Sequence, residues 1–304
     1  MNKVLVSGAS GFIGIRLIRA LEMRKVSIRV LSRVNQASLE TVICDLESGS
    51  IPGTALIGVD TVFHLAGLAH DTRNASMLKS LYQKINVDAS VKLAELAILS
   101  GVKHFIFVSS VKAGGSAITG KSMTEMDQGE PEGVYGKTKR EAELKLLELG
   151  QKSGMNVTII RPPLVYGPGV KGNLQSMMNG IQKGWFPPLP ELSNRRSMVH
   201  VDDLVKAIFL VVKDNRSSKE IFIVTDGVAY SSRDIYEIMC KLSGKAIPKW
   251  HVPRFLFNLL GFISLSLRYK MQKLFEDDYY SSEKIKSIGF LPDRSLKEMN
   301  ETSF

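Results

Sequence analysis

Val4-Leu5-Val6-Ser7-Gly8-Ala9-Ser10-Gly11-Phe12-Ile13-Gly14 decides the fold of this chain. An apolar, partly β-branched run leads into three glycines, each three residues after the last, and an apolar helical pattern follows. In that strand–loop–helix setting a glycine fingerprint serves dinucleotide binding. Gly8 permits the tight turn, Gly11 lets the backbone approach a pyrophosphate, and Gly14 lets helix and strand pack closely. The orphan N–H groups at the helix N-terminus then face the phosphates.

Outward from that stretch, short β-branched runs alternate with helical patterns. Strand-like segments fall at Lys3–Ser7, Ser27–Leu31, Thr41–Cys44, Thr61–His64, Phe105–Ser109 and Val157–Ile160. Helical patterns lie near Phe12–Met23, Asn86–Ser100 and Tyr135–Lys152. This alternation predicts a parallel sheet covered by helices on both faces, with ligand at the strands' C-terminal ends. The glycine loop, Ala66-Gly67, Ser109-Ser110 and Arg161-Pro162 all follow strands and should converge there. After Tyr166 the pattern breaks at Gly167-Pro168-Gly169 and at Trp185-Phe186-Pro187-Pro188-Leu189-Pro190. The expected architecture is α/β: a Rossmann-type doubly wound parallel sheet with a smaller, mostly helical C-terminal substrate lobe. Residues 1–166 form the dinucleotide-binding domain. Residues 200–226 return to it through a helix at Asp202–Lys213 and a strand at Ile221–Val224, while 167–199 and 227–304 form the lobe.

Ser109-Ser110 closes the apolar run Phe105-Ile106-Phe107-Val108, and Tyr135-Gly136-Lys137-Thr138-Lys139 opens a helix. Tyr135 and Lys139, four residues apart, share one helical face. Read in isolation, Tyr135 could equally be a packed aromatic at a helix start. Further motifs follow in order: His64-Leu65-Ala66-Gly67, Asn86-Val87, Arg161-Pro162-Pro163, Tyr166-Gly167-Pro168 and Ile288-Gly289-Phe290-Leu291-Pro292. With Gly8–Gly14, these make the chain resemble the extended short-chain dehydrogenase/reductases over essentially its whole length. Within them it is similar to the nucleotide-sugar epimerase/dehydratase/ketoreductase group.

A free tyrosine titrates near 10, so acting as a base near neutrality requires a fall of roughly three units, about 4 kcal/mol of differential stabilisation. A lysine ammonium on the same helical face supplies much of that, and the positive ring of an oxidised nicotinamide adds more. The resemblance implies that Tyr135 is the acid/base and that Lys139 also hydrogen-bonds the nicotinamide ribose. It implies that Ser110 hydrogen-bonds the reacting oxygen and that Asn86, beginning its helix, props the site. Asn86 also reads as a plain N-cap. His64 reads as a strand residue beneath the cofactor. The same resemblance rests the cofactor on Gly8, Ser10, Gly11, Phe12, Ile13 and Gly14, on Asp45 and Leu46 at the adenine, and on Leu65, Ala66, Gly67 and Pro162. At the end of the second strand, where an acid would mark NAD, stands Leu31-Ser32-Arg33. A hydroxyl followed by a guanidinium suits a 2′-phosphate, so NADP(H) is expected over NAD(H); the other reading of Arg33 is a solvated surface residue.

Asn173-Leu174, the Phe186–Leu189 segment and Arg196 resemble the positions that hold a nucleoside diphosphate in UDP-sugar 4-epimerases. Phe186 and Leu189 would flank the base and Arg196 would pair with the diphosphate. Two departures stand out. Pro162-Pro163-Leu164 replaces a Tyr-Phe-Asn, removing an asparagine that contacts phosphate. Val111-Lys112-Ala113-Gly114-Gly115 replaces an Ala-Thr-Val-Tyr-Gly, and its glycines are expected to leave room beside the sugar. These departures and the short chain resemble a subgroup associated with surface-polysaccharide synthesis, which includes reductases of 4-keto-6-deoxy amino sugars. The expected reaction is NADPH-dependent reduction, at C4, of a UDP-4-keto-6-deoxy-N-acetylhexosamine for polysaccharide precursors. The alternative is a UDP-hexose or UDP-N-acetylhexosamine 4-epimerase with bound NAD. A dehydratase is disfavoured, because the family's Asp-Glu after the catalytic Ser/Thr is Val111-Lys112 here. A non-catalytic dinucleotide sensor is disfavoured by the intact Ser110, Tyr135 and Lys139.

The 304 residues are 44% hydrophobic and 23% charged, ordinary for a globular chain. The net charge of +10 could serve nucleic acid or an anionic surface, yet the basic residues are spread out, with no arginine-rich block or RNA-binding signature. A basic surface around a diphosphate site accounts for the charge, and no nucleic-acid partner is expected. The five histidines show no ligand spacing, so no metal is expected. Cys44 and Cys240 read as reduced thiols, and Met1-Asn2-Lys3 leaves no room for a signal peptide, so a cytoplasmic protein is expected. The apolar stretch Phe255–Leu267 is shorter than the roughly 20 residues that span a bilayer. Its flanks, Pro253 and Arg268-Tyr269-Lys270, suggest a core helix; the alternative is a surface helix resting on a membrane. A homodimer is expected, because in related enzymes the helices corresponding to Asn86–Ser100 and Tyr135–Lys152 pair across a two-fold axis. Leu93, Leu96, Ala97, Leu146 and Leu149 offer apolar stripes for it.

Overall fold

The computed structural model describes residues 1–69, 75–263 and 273–300. Among them ten strands form two sheets. Chain order gives β1 (Lys3–Ser7), β2 (Ser27–Ser32), β3 (Glu40–Ile43), β4 (Thr61–His64), β5 (His104–Val108) and β6 (Asn156–Arg161). β7 (Leu164–Tyr166), β8 (Arg196–His200), β9 (Ile221–Ile223) and β10 (Ala229–Tyr230) follow. The large sheet has the order β3-β2-β1-β4-β5-β6-β9 and every pairing in it is parallel. The strand order reverses between β1 and β4, and a doubly wound sheet opens a crevice for ligand at that point.

Alternation along each strand sends side chains to two buried faces. Val4 and Val6 of β1 join Phe63 and Ile106 beneath α1 (Phe12–Met23) and α6 (Val201–Lys213), where Leu17, Leu21, Leu204 and Ile208 complete one core. Leu5, Val62, Phe105 and Phe107 face the other way, onto α3 (Ala89–Leu99) and α4 (Gly133–Ser153). Leu93, Ala97 and Leu146 are wholly buried in that second core, and Leu96 and Leu149 pack at its edge. The stripes expected to pair two subunits therefore face the protein's own sheet, and they lend the dimer no support.

Asn86 does not begin a helix. α2 (Ala75–Tyr82) runs through a π-helical turn, Gln83–Asp88, into α3, and Asn86 sits inside that turn. It is therefore not an N-cap. An inserted residue of this kind aims a side chain off the regular helical track, and such turns cluster at functional sites.

The lobe is less helical than expected. β10-β8-β7 form a small sheet, β7 and β8 parallel and β8 and β10 antiparallel. These strands of two to five residues lie outside the βαβ alternation, among glycine- and proline-rich segments, so nothing in the local pattern marks them. A third core, with Tyr166, Leu174, Met177, Leu189, Tyr236 and Phe257, joins this sheet to α5 (Asn173–Gln182), α7 (Ser232–Leu242) and α8 (Arg254–Ile263). α8 is not the core helix expected there: Phe257 is buried, but Phe255, Leu256 and Leu259 are exposed. Residues 264–267 of that apolar stretch lie outside the described residues. Cys44 and Cys240 are free, buried thiols, and burial pushes both pKa values up.

Candidate active site

The glycine turn behaves as its spacing requires. Gly8 has φ +75°, and a Cβ there would lie 2.7 Å from Ala66 N. Gly11 caps α1, with its N–H on Gly8 O at 3.0 Å. A Cβ on Gly14 would fall 2.1 Å from Gly8 O, so only glycine lets α1 lie this close to the turn. Ser10 is exposed at the mouth, Phe12 packs towards the lobe core, and Ile13 packs on the sheet core. Across the crevice, Leu65 N donates to Ser7 O at 3.2 Å, placing Leu65, Ala66 and Gly67 beside the glycine turn. Ser32 ends β2, Arg33 is exposed just after it, and exposed Asp45 with half-buried Leu46 follows β3. Asp45 accepts Glu47 N at 3.0 Å as a local cap. Pro162 is buried, and its carbonyl receives Val111 N at 3.2 Å.

Two polar struts fix this crevice. Asn86 Oδ1 accepts Leu68 N at 2.7 Å, while its Nδ2 donates to Leu68 O at 3.1 Å and to Thr138 Oγ1 at 3.2 Å. One side chain thus ties the loop after β4 to α4. His64, wholly buried on β4, lies 2.5 Å through Nδ1 from Ser7 Oγ and 2.7 Å through Nε2 from Ser90 Oγ, which donates to Asn86 O at 2.8 Å. Burial first, then the Lys139 charge, lowers the His64 pKa to about 3, so it is a neutral strut.

Ser110, Tyr135 and Lys139 come together at the end of β5. Ser110 caps the short turn Val111–Ala113, its Oγ accepting Lys112 N at 3.3 Å, and its hydroxyl holds the Tyr135 pKa down against burial. Lys139 is buried; its Nζ donates to Val108 O at 3.0 Å and sits 4.3 Å over the Phe107 ring. A Cβ on Gly67 would lie 3.0 Å from that Nζ, so the loop closes directly over the amine. Burial pulls the Lys139 pKa down to about 8, against the opposing Glu143 charge. The expected fall of Tyr135 is not seen. Burial pushes its hydroxyl up to about 12, with Ser110 opposing and Tyr82 and Glu143 adding to the rise. Desolvation outweighs a lysine whose amine turns to Val108 O.

Sequence reasoning missed three neighbours. Tyr82 stands edge-on to Tyr135, ring centroids 6.4 Å apart. Arg161 and Glu143 form a fully buried bidentate pair, Nε to Oε1 at 2.9 Å and Nη2 to Oε2 at 2.6 Å. Only the Arg-Pro motif pointed towards this pair. It also corrects the reading of Gly114 and Gly115. A Cβ on Gly114 would meet Arg161 Nη1 at 2.9 Å, and one on Gly115 (φ +108°) would meet Gly129 Cα at 2.7 Å. These glycines admit an arginine and a neighbouring loop, not a sugar.

On the lobe side, Asn173 is exposed at the first turn of α5, and Arg196 opens β8 with Nη2 3.7 Å from Asp278 and Nη1 donating to Lys273 O. Phe186 stacks on Tyr236 at 5.9 Å. Leu174 and Leu189 are buried core residues, so they offer a ligand their backbone rather than their side chains.

A glycine turn at the crevice of a doubly wound sheet, beside a Ser–Tyr–Lys group, defines a dinucleotide-dependent oxidoreductase site. The chain belongs to the NAD dependent epimerase/dehydratase family, whose profile matches residues 4–225. It is an extended short-chain dehydrogenase/reductase of the nucleotide-sugar epimerase/dehydratase group. A UDP-glucose 4-epimerase of Vibrio cholerae is 34% identical over 270 residues, 86% of this chain and 81% of that protein. An N-acetyl-alpha-D-glucosaminyl-diphospho-ditrans,octacis-undecaprenol 4-epimerase of Escherichia coli O157:H7 is 27% identical over 98% of this chain and 92% of its own. The solved structure of MoeE5 in complex with UDP-glucose and NAD has the same fold, at TM-score 0.79 and 24% identity, covering 98% of this chain and 95% of that one. The residues present fit a nicotinamide dinucleotide. Gly8 and Gly11 keep the turn clear of side chains, and buried Ser109 Oγ, next to Ser110, has no hydrogen-bond partner among the described residues.

Proposed function

We propose that this chain interconverts the C4 epimers of a UDP-sugar, a UDP-hexose or UDP-N-acetylhexosamine. The observation that carries this reading is the buried Lys139 amine, held on Val108 O at the end of β5 one helical turn from Tyr135, in a chain one-third identical to a UDP-glucose 4-epimerase. Tyr135, aligned by Ser110, takes the proton of the C4 hydroxyl and later returns it, so no net oxidation results. A nicotinamide dinucleotide held by the glycine turn and Lys139 would supply a reversible hydride acceptor for C4, so that either face of the keto sugar could be reduced. Lys139 holds the ribose and adds positive charge to the pocket. Asn86 keeps the loop over Lys139 closed. Asn173, Arg196 and the free N–H groups at the start of α5 bind the diphosphate, and Phe186 lies along the base.

The reduction of a UDP-4-keto-6-deoxy-N-acetylhexosamine by NADPH is the second reading. Exposed Arg33 at the end of β2 favours it, through a 2′-phosphate. One of its further supports, room at Gly114 and Gly115, is removed by the Arg161 and Gly129 contacts, while the Pro162-Pro163-Leu164 departure and the short chain remain. Enzyme incubated with UDP-glucose or UDP-N-acetylglucosamine should yield the galacto epimer without net change in cofactor. Stoichiometric loss of NADPH on the keto sugar, with no interconversion of either UDP-sugar, would replace this reading with the second.

A further inference from the structure

We propose that the exposed face of α8, with the Lys249-Trp250 turn before it, rests on an anionic membrane surface. The proposal goes beyond the reading of the reaction and does not depend on it. Phe255 and Leu256 are adjacent and Leu259 lies one turn on, so the three share one side of α8. All three are exposed, whereas Phe257 on the opposite side is buried. Phe255 is 61% exposed and Trp250 63%. Four large apolar side chains within ten residues form a patch of the kind that marks an interaction site.

Charge indicates what covers it. Between Glu237 and Glu276 the sequence holds no carboxylate, and Lys241, Lys245, Lys249 and Arg254 are all exposed. The Arg254 guanidinium is held 5.1 Å over the Phe275 ring. A second copy docked through the same face would bring two cationic rims together. An anionic bilayer satisfies both features: apolar side chains enter the headgroup boundary, tryptophan settles at the interface, and cations meet lipid phosphates. The patch is fixed to the substrate lobe, because Val252 N donates to Pro188 O at 3.0 Å and Phe257 packs in the core with Leu189. Docking would therefore set the Phe186–Leu189 wall beside the membrane.

The test uses the full chain and two sets of vesicles, phosphatidylcholine alone and phosphatidylcholine mixed with an equal part of phosphatidylglycerol. The chain should sediment with the anionic vesicles at least about tenfold better, each cation contributing about fivefold. Binding should weaken as salt rises past about 0.15 M, where screening shortens to about 8 Å. Phe255→Glu with Leu259→Glu should abolish it and leave turnover of a soluble UDP-sugar unchanged. Lys249→Glu with Arg254→Glu should remove the preference for phosphatidylglycerol. In a Trp185→Phe background, Trp250 emission should shift to the blue on anionic vesicles. No binding, binding indifferent to lipid charge, or binding kept by the double glutamate variant would overturn the proposal. So would a dimer in solution that the same variant dissolves. An epimerase assay that fails leaves the vesicle result standing, and the reverse holds too.

Discussion

Tyr135 sits in a pocket that resists its own chemistry. Its hydroxyl is pushed up to about 12 by burial, so the chain alone does not make a base near neutrality. On the proposed mechanism, the missing stabilisation would be supplied by the positive charge of a bound dinucleotide together with Lys139. Tyr135→Phe keeps the ring against Tyr82 and removes only the proton carrier. Turnover should fall at least about 100-fold with dinucleotide affinity nearly unchanged, measured by steady-state kinetics and fluorescence titration. Lys139 carries the converse cost. Its pKa is lowered to about 8 from an ordinary 10.5, so the folded chain bears the penalty of a buried ammonium at every pH below about 8. The penalty is relieved as pH rises from about 8 towards 10.5, because there the unfolded chain binds the extra proton. Lys139→Met should abolish activity and yet raise the urea stability of the cofactor-free chain at pH 7, by on the order of 3 kcal/mol. The gap between variant and wild type should narrow at pH 10. A variant less stable than wild type at pH 7 would mean that the Val108 bond outweighs desolvation.

At the scale of elements, the glycine turn separates packing from ligand approach. A Cβ at Gly14 would meet Gly8 O at 2.1 Å and Ala9 Cα at 2.8 Å, backbone atoms that cannot move aside without parting α1 from β1. A Cβ at Gly11 would lie 3.1 Å from Gly8 O, tight but accommodated by a small shift. Gly14→Ala should therefore destabilise the fold by about 1–3 kcal/mol or more and lose dinucleotide binding with it. Gly11→Ala should keep most of the stability and weaken dinucleotide binding, read by urea melts and titration of the same samples. Equal loss of stability in both would refute the division of labour. This turn was legible because three glycines in a strand–helix context have one common geometry. The π-helical turn at Asn86 was not. It is a one-residue insertion in an otherwise regular apolar pattern, and its clamp on Leu68 depends on a loop 18 residues away. Gly114 and Gly115 were misread for a related reason: what fills the space beside them is Arg161 and Gly129, which only the fold brings near.

Across the whole molecule, βαβ alternation disclosed the large sheet, since its short strands recur at regular intervals between long helical patterns. The small sheet and the fate of the α3 and α4 stripes were hidden, because local periodicity records that a face is apolar and not which surface buries it. The joint between the sheets was hidden as well. Asp226, just after β9, receives both Tyr166 and Tyr230 on Oδ2, at 3.1 and 2.8 Å, and its N–H donates to Met198 O at 2.7 Å. Tyr230 in turn accepts Leu296 N at 2.8 Å, tying the C-terminal segment to the same point. Burial raises Asp226 to about 6, while the tyrosine bonds and Val228 N pull the other way. A carboxyl raised in the folded state contributes stability that is fully present below about 3.8 and lost as pH climbs through about 6. Tyr230→Phe removes a donor that favours the charged form and takes away the Tyr230 acceptor of Leu296 N–H. Asp226 should then titrate still higher, and the variant's deficit against wild type should be larger at pH 8 than at pH 5. At pH 8 the deficit should be on the order of 2–4 kcal/mol, followed by urea unfolding. Because β7 and β10 meet at this carboxylate and β8 bonds the N–H of the same residue, the loss should reach the small sheet before the glycine-turn crevice. A deficit independent of pH would show that the Leu296 bond, and not Asp226, holds the joint.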